Sequence, residues 1–205
     1  MNTRRTGAAI VVCGASGSGK GTLLGRLTRE FPEIAFSVSR TTRAPRRDEE
    51  DGVDYHFVTT SEFERGIDKG EFAEWALVHG NYYGTPVADL QKLLGAGTDV
   101  AFDIDIQGAR QLRARLHGLF VFILPPSRSV LEQRLLGRGT DSDESIRTRL
   151  ANSAQEIANA EAFDAIIVNN DLETAYQEFR AAYLAERLRP KYRPFLVPSL
   201  LEQFS

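Results

Sequence analysis

The stretch Ala8-Ala9-Ile10-Val11-Val12-Cys13-Gly14-Ala15-Ser16-Gly17-Ser18-Gly19-Lys20 carries the reading of the whole chain. Its first six residues are a continuous apolar run, the pattern of a parallel strand covered on both faces. The glycines that follow let the backbone wrap closely, so that successive N–H groups can point inward at phosphate oxygens. Over 20–30, Leu23, Leu24 and Leu27 share one helical face. That helix would present its N-terminus to the same anion, with Lys20 adding a positive charge. Strand, glycine loop, lysine and helix in this order predict a phosphate cradle built from Gly14, Ala15, Ser16, Gly17, Ser18, Gly19, Lys20, Gly21 and Thr22. One position departs from the usual pattern. Gly21 stands where a hydroxyl that ligates magnesium is normal, and Thr22 comes one place later, which leaves the metal to nucleotide oxygens, water and a carboxylate elsewhere.

Working outward, buried strands are expected over 100–104, 119–124 and 165–168, each followed by a helical stretch, over 108–116, 129–136 and 172–188. Strands alternating with helices imply an α/β fold with a right-handed parallel sheet, here a three-layer core around the phosphate loop. From 36 to 95 the rhythm breaks into β-like pieces over 36–39, 55–58 and 71–78, turns at Asp51-Gly52 and His79-Gly80-Asn81, and a short helix near 61–68. The charged stretch 137–144 reads as a flap leading into a helix over 145–160. The expected division is a core of 1–36, 96–136 and 152–205, an inserted mixed α/β lobe of 37–95 and a helical lid of 137–151. The tail after Arg189, with Pro190, Pro194 and Pro198, is a poor helix continuation.

Composition narrows the function classes. In 205 residues, 42% hydrophobic and 26% charged residues with a net charge of −3 describe an ordinary globular chain. No global basic field is present to hold nucleic acid or an acidic membrane surface. A single cysteine, Cys13, precludes an intramolecular disulfide, and three scattered histidines show no metal-ligand spacing. The apolar run at 8–13 is too short to span a bilayer; Arg4 and Arg5 precede it as in an export signal, but no cleavable apolar core follows. The expectation is a soluble cytoplasmic protein acting on small molecules, with homo-oligomerisation left open.

Further candidates lie downstream. Arg40, Arg43, Arg46 and Arg47 crowd one short segment beginning at Ser39, and two guanidinium forks with hydroxyls can grip a phosphate dianion. Tyr55 and the pair Tyr82-Tyr83 offer phenolic donors, with a place in the lobe's aromatic core as the other reading of Tyr82. In Glu71-Phe72-Ala73-Glu74-Trp75, alternation places Phe72 and Glu74 on one face. A carboxylate on an apolar face needs a partner, and a guanine supplies two adjacent donors where an adenine presents an acceptor. Asp103 and Asp105, two apart at the C-terminal end of a strand, point to one side, where α/β sheets bind ligands; capping the next helix is the alternative. Arg134, Arg138 and Arg149, in and around the flap, could meet the charge that spreads over a transferring phosphoryl group.

These residues resemble the guanylate kinase family. The landmarks are Ser37-Val38-Ser39 with Thr41-Thr42-Arg43-Ala44-Pro45-Arg46, Gly52-Val53-Asp54-Tyr55-His56-Phe57, Glu74-Trp75-Ala76, Gly80-Asn81-Tyr82-Tyr83-Gly84-Thr85, Asp103-Ile104-Asp105-Ile106-Gln107-Gly108 and Gly137-Arg138-Gly139-Thr140. The resemblance implies ATP:GMP phosphotransfer, with dGMP as a further acceptor and magnesium as cofactor, in a core, GMP lobe and lid that close together. It assigns Arg43, Arg46, Tyr55 and Tyr83 to the GMP phosphate, Ser39, Glu74, Thr85 and Asp105 to guanine, and Glu49 to the same acceptor site. Asp103 would serve both the GMP site and, through water, the metal-and-phosphate centre, Lys20, Arg46, Arg138 and Arg149 the transfer itself, and Arg134 and Asn169 the ATP side. The competing readings are a kinase for another phosphorylated acceptor and a catalytically weak binding module of the same fold.

Overall fold

The computed structural model describes residues 4–47, 49–78, 80–137 and 143–204, with the side chains of 143–145 excluded. In chain order the elements are β1 (Ala9–Gly14), α1 (Lys20–Glu30), β2 (Ala35–Phe36), β3 (Ser39–Thr41), β4 (Tyr55–Phe57), α2 (Thr60–Asp68), β5 (Phe72–Val78), β6 (Asn81–Pro86) and α3 (Val87–Gly95). Then come β7 (Val100–Asp103), α4 (Ile106–Arg115), β8 (Gly118–Leu124), α5 (Arg128–Leu136), α6 (Asp143–Ile157), β9 (Ala165–Val168), α7 (Leu172–Arg187) and α8 (Leu196–Leu201).

Five strands pair in parallel in the order β2-β7-β1-β8-β9, and a second, mixed sheet has the order β4-β3-β6-β5. The apolar run of β1 sits at the centre of the first sheet, and its residues alternate between two cores. Ile10 and Val12 pack with Leu23, Leu24 and Leu27 of α1 and with Tyr176, Phe179 and Tyr183 of α7. Val11 and Cys13 face the other way, against Phe102, Phe120 and Phe122 and the α4 residues Ala109 and Leu112. Helices on both faces of a buried parallel sheet give the three-layer α/β core that the sequence predicts.

The second sheet is held against this core by α4. Gln111 donates to the Trp75 carbonyl at 2.8 Å and accepts from the Trp75 N–H at 3.1 Å. Arg115 donates to the Phe72 carbonyl at 2.6 Å. These bonds satisfy peptide groups at Phe72 and Trp75 on the free edge of β5. One helix thus fixes the β5 strand relative to the C-terminal end of β7, where the site forms.

Four expectations change. The single β piece over 36–39 is two strands in different sheets: Phe36 pairs with Ala101 in the core, and Ser39 pairs with Tyr55 in the second sheet. The turn expected at 79–81 includes residue 79, which lies outside the described residues; a further strand, β6, starts at Asn81, and a helix follows it at once; Leu90 of that helix, α3, is buried in the core shared with β1 and β7. Phe72 and Glu74 do not share a face, because the β5–β6 register slips between them. The tail does not continue α7, in keeping with its prolines, yet it regains helix: a 3₁₀ turn, Pro190–Tyr192, precedes α8, and Tyr192 donates to buried Glu186 at 2.8 Å. Residues 138–142 of the expected flap lie outside the described residues, and the helix expected over 145–160 is α6, Asp143–Ile157. Among the described residues, no helix is long and apolar enough to cross a membrane.

Candidate active site

The loop between β1 and α1 is a tight wrap of main chain. Gly17 and Gly19 hold φ of 90° and 96°, a region closed to most side chains. A Cβ on Gly19 would in addition collide with the side-chain amide of Asn169. The Lys20 ammonium folds onto the loop and donates to the carbonyls of Gly14 at 2.7 Å and Ala15 at 3.4 Å. The loop, with Gly21 and Thr22, lines a cleft of about 640 Å³ that also takes in Asp103, Ile104, Asp105 and Glu156.

Asp103 ends β7 and opens into this cleft; the surrounding protein raises its carboxyl above the usual range, and the Lys20 charge pulls it back. Asp105 satisfies both readings of its position: its carboxylate accepts from the Gly108 N–H at 2.8 Å as the cap of α4, and it still lines the cleft. A Cβ on Gly21 would lie 4.0 Å from the Asp103 carboxylate, so residue 21 and Asp103 are neighbours across the cleft mouth. From α6, Arg149 donates to the Ser16 hydroxyl at 3.4 Å. Two turns on, half-buried Glu156 faces the same cleft, its carboxyl raised by burial and lowered by Lys20. Glu156 was not singled out from the sequence, although its spacing from Arg149 puts both on one helical face.

A second cavity, of about 210 Å³, is lined by Ser39, Tyr55, Glu74, Ala76, Val78, Tyr83, Asp103, Ile104 and Asp105. Asp103, Ile104 and Asp105, at and just after the end of β7, line both cavities, so the two adjoin there. Glu74 is 5% exposed. Burial pushes its carboxyl up to about 7, against the Thr85 hydroxyl, which donates to it at 2.7 Å and favours the charged form. Ser37 donates in turn to Thr85 at 3.4 Å. A Cβ on Gly108 would come within 2.8 Å of the second Glu74 oxygen, so the glycine makes room for this carboxylate against α4. The register slip in β5 sends Phe72 to the opposite side, where it stacks on Phe63 at 4.2 Å; Tyr82 stacks there too, at 5.1 Å, in the aromatic core rather than in the cavity.

The arginine segment is divided. Arg43 gives both oxygens of Glu49 a hydrogen bond, at 2.7 and 2.9 Å, and lies 5.5 Å from the Tyr55 ring, which meets Tyr83 edge-on. Glu49 also accepts from the Arg46 N–H at 2.8 Å, and these donors hold its carboxyl below the usual range. Glu49, an acceptor only, thus fixes the Arg43 guanidinium and the Arg46 main chain. The Arg46 side chain is exposed, and Arg40 turns away to Glu71 at 3.0 Å. Arg134 and Asn169 sit behind the loop: both donate to the Ser18 carbonyl, at 3.5 and 2.8 Å. Arg138 lies outside the described residues.

The chain matches the family model described as guanylate kinase over residues 6–186. It is 58% identical to a guanylate kinase of Nitratidesulfovibrio vulgaris and 56% identical to one of Oleidesulfovibrio alaskensis, with 98% of each chain covered in both cases. A crystal structure of guanylate kinase from Anaplasma phagocytophilum superimposes with a TM-score of 0.77 at 33% identity, covering 98% of this chain and 97% of that one. The chain belongs to the guanylate kinase family.

Family membership fits the donor chemistry of the cleft. Guanylate kinases are nucleoside monophosphate kinases, and the oxygen donors Asp103, Asp105, Glu156 and Thr22 suit a hard cation such as magnesium. Among the described residues no three carboxylate, histidine or cysteine groups gather as a metal cage. The donors present fit an ion that keeps water and phosphate oxygens as most of its ligands. A fragment of tight junction protein 3, 14% identical with a TM-score of 0.54, shares the fold alone.

Proposed function

We propose that the protein transfers the γ-phosphoryl group of ATP to GMP, and to dGMP, giving ADP and GDP (or dGDP) as a step of purine nucleotide metabolism in the cytoplasm. The observation that carries this reading is the pair of cavities meeting at Asp103–Asp105, one walled by the glycine loop and Lys20, the other by buried Glu74. A triphosphate in the first and a monophosphate nucleotide in the second would face each other across the end of β7.

In the acceptor cavity Glu74 would take the ring N–H and exocyclic amine of guanine, with Thr85 and Ser39 beside it. Adenine would leave the carboxylate opposite an acceptor, an unpaired buried arrangement that costs strongly. Arg43, set by Glu49, and Arg46, with Tyr55 and Tyr83, would hold the GMP phosphate. One of its oxygens, already anionic, attacks the γ-phosphorus in line, so no side-chain base is required. Lys20, Arg149 and Arg138 would meet the charge on the equatorial oxygens, and closure of the lid would keep water from competing as acceptor. Asp103, with Asp105 and Thr22 nearby, would hold magnesium through water; the ion supplies charge neutralisation of the phosphates. Arg134 and Asn169 are assigned to the ATP side.

A coupled assay offering GMP, dGMP, AMP and a sugar phosphate tests this. GMP and dGMP are the expected acceptors, and preferred turnover of AMP or the sugar phosphate would overturn the reading.

A further inference from the structure

Two donors from separate elements converge on one loop carbonyl. Asn169 closes β9, its own N–H donating to the Leu124 carbonyl at 2.8 Å. Its side-chain Nδ2 donates to the Ser18 carbonyl at 2.8 Å, and the residue is 5% exposed. From α5, Arg134 reaches the same Ser18 oxygen at 3.5 Å and the Asn169 carbonyl at 3.0 Å. Gly19 leans directly on the Asn169 amide, because any Cβ there would collide with it. All described peptides are trans. In a planar trans peptide the N–H points opposite to the C=O, so drawing the Ser18 carbonyl back toward Asn169 turns the Gly19 N–H the other way. Gly19 lines the phosphate cleft.

We propose that Asn169, seconded by Arg134, is a positioning residue of the phosphate loop: it holds the Ser18 carbonyl away from the cleft so that the Gly19 N–H faces the phosphates. The inference deepens the phosphotransfer reading and rests on it. Asn169 then acts on the phosphates through the main chain, not on the adenine ring. Arg134 stands three residues before Gly137, so the same contact ties the base of the lid segment to the loop.

Inorganic tripolyphosphate separates these roles, since it has phosphates and no base. In the unaltered protein, the Gly19 amide resonance should shift strongly downfield when tripolyphosphate saturates the loop. In Asn169→Ala, affinity for tripolyphosphate and for ATP should fall together, by roughly tenfold, the loss of one hydrogen bond to a charged group. GMP affinity should stay within about twofold, which also reports that the variant is folded. If Gly19 does not move in the unaltered protein, the proposal is overturned whatever the variant does. An ATP loss with unchanged tripolyphosphate affinity would also overturn it, placing Asn169 at the base. Absence of GMP phosphorylation by the unaltered protein would instead strike the phosphotransfer reading and leave the tripolyphosphate result standing.

Discussion

The donor cradle is one unbroken run of sequence working through its main chain, whereas the acceptor pocket is side chains gathered from four strands and a helix cap: Ser39, Tyr55, Glu74, Tyr83 and Asp105. The first depends on backbone conformation, which glycines and the strand-to-helix turn dictate locally. The second depends on how two sheets are docked, which α4 controls through Gln111 and Arg115. In the proposed reading, phosphate, common to all nucleotides, meets amides, and the base, which sets specificity, meets a buried carboxylate.

Lys20 is the cradle's exception, a side chain carrying full charge, and removing it should give the largest effect. Lys20→Ala is expected to lower kcat by roughly 10³-fold, the scale of losing one charged group aimed at the transferring phosphoryl. GMP binding, measured by calorimetry, should barely change. Equal losses at both ends would mean that the two sites are not separable.

The corresponding break in the acceptor pocket is Glu74→Gln. It keeps the shape but offers a donor to a donor, so KM for GMP should rise by roughly 10²-fold with KM for ATP almost unmoved. The same change should stabilise the fold at pH 8. Glu74 titrates near 7 in the folded protein, above its ordinary value, so the folded state binds the extra proton and stability falls as pH rises from about 4.5 to 7. Gln removes that cost, on the order of 3 kcal/mol, and a thermal melt at pH 8 reads it. Because guanine needs the ionised carboxylate, KM for GMP in the unaltered protein should climb as pH falls below about 7. A pH profile identical for the two proteins would remove Glu74 from base recognition.

The contrast also explains what could be read from sequence. The cradle was legible down to Lys20–Glu30 because its determinants are contiguous: an apolar run, glycines and a lysine, followed by leucines at helical spacing. Glu74 and the Asp103–Asp105 pair were legible as carboxylates in unusual settings. Their surroundings were not. The register slip that separates Phe72 from Glu74 leaves no mark in a period-two pattern. The division of 36–39 between two sheets is decided by pairing partners that are remote in sequence, Ala101 for Phe36 and Tyr55 for Ser39. The hydrogen bonds that set Glu49 against Arg43, and Asn169 against the Ser18 carbonyl, are likewise absent from the sequence pattern. Residues that act by holding other residues are invisible until those neighbours are in place.

The smallest expected effects come from two buried hydroxyls, one on each side of the comparison. Ser18 is fully buried in the cradle, and its Oγ has no hydrogen-bond partner among the described residues. Thr85 is 1% exposed in the acceptor pocket and donates to Glu74. Thr85→Val preserves volume but strips Glu74 of its donor, so the carboxyl should titrate higher still, and KM for GMP at pH 7 should rise by roughly tenfold. Ser18→Ala removes only an unsatisfied group. It should leave both KM values unchanged and either match or exceed the parent's stability, by up to about 1 kcal/mol in a denaturant titration. Were Ser18→Ala instead to weaken ATP binding as Thr85→Val weakens GMP binding, the cradle would be reading phosphate with side chains after all, and its contrast with the pocket would dissolve.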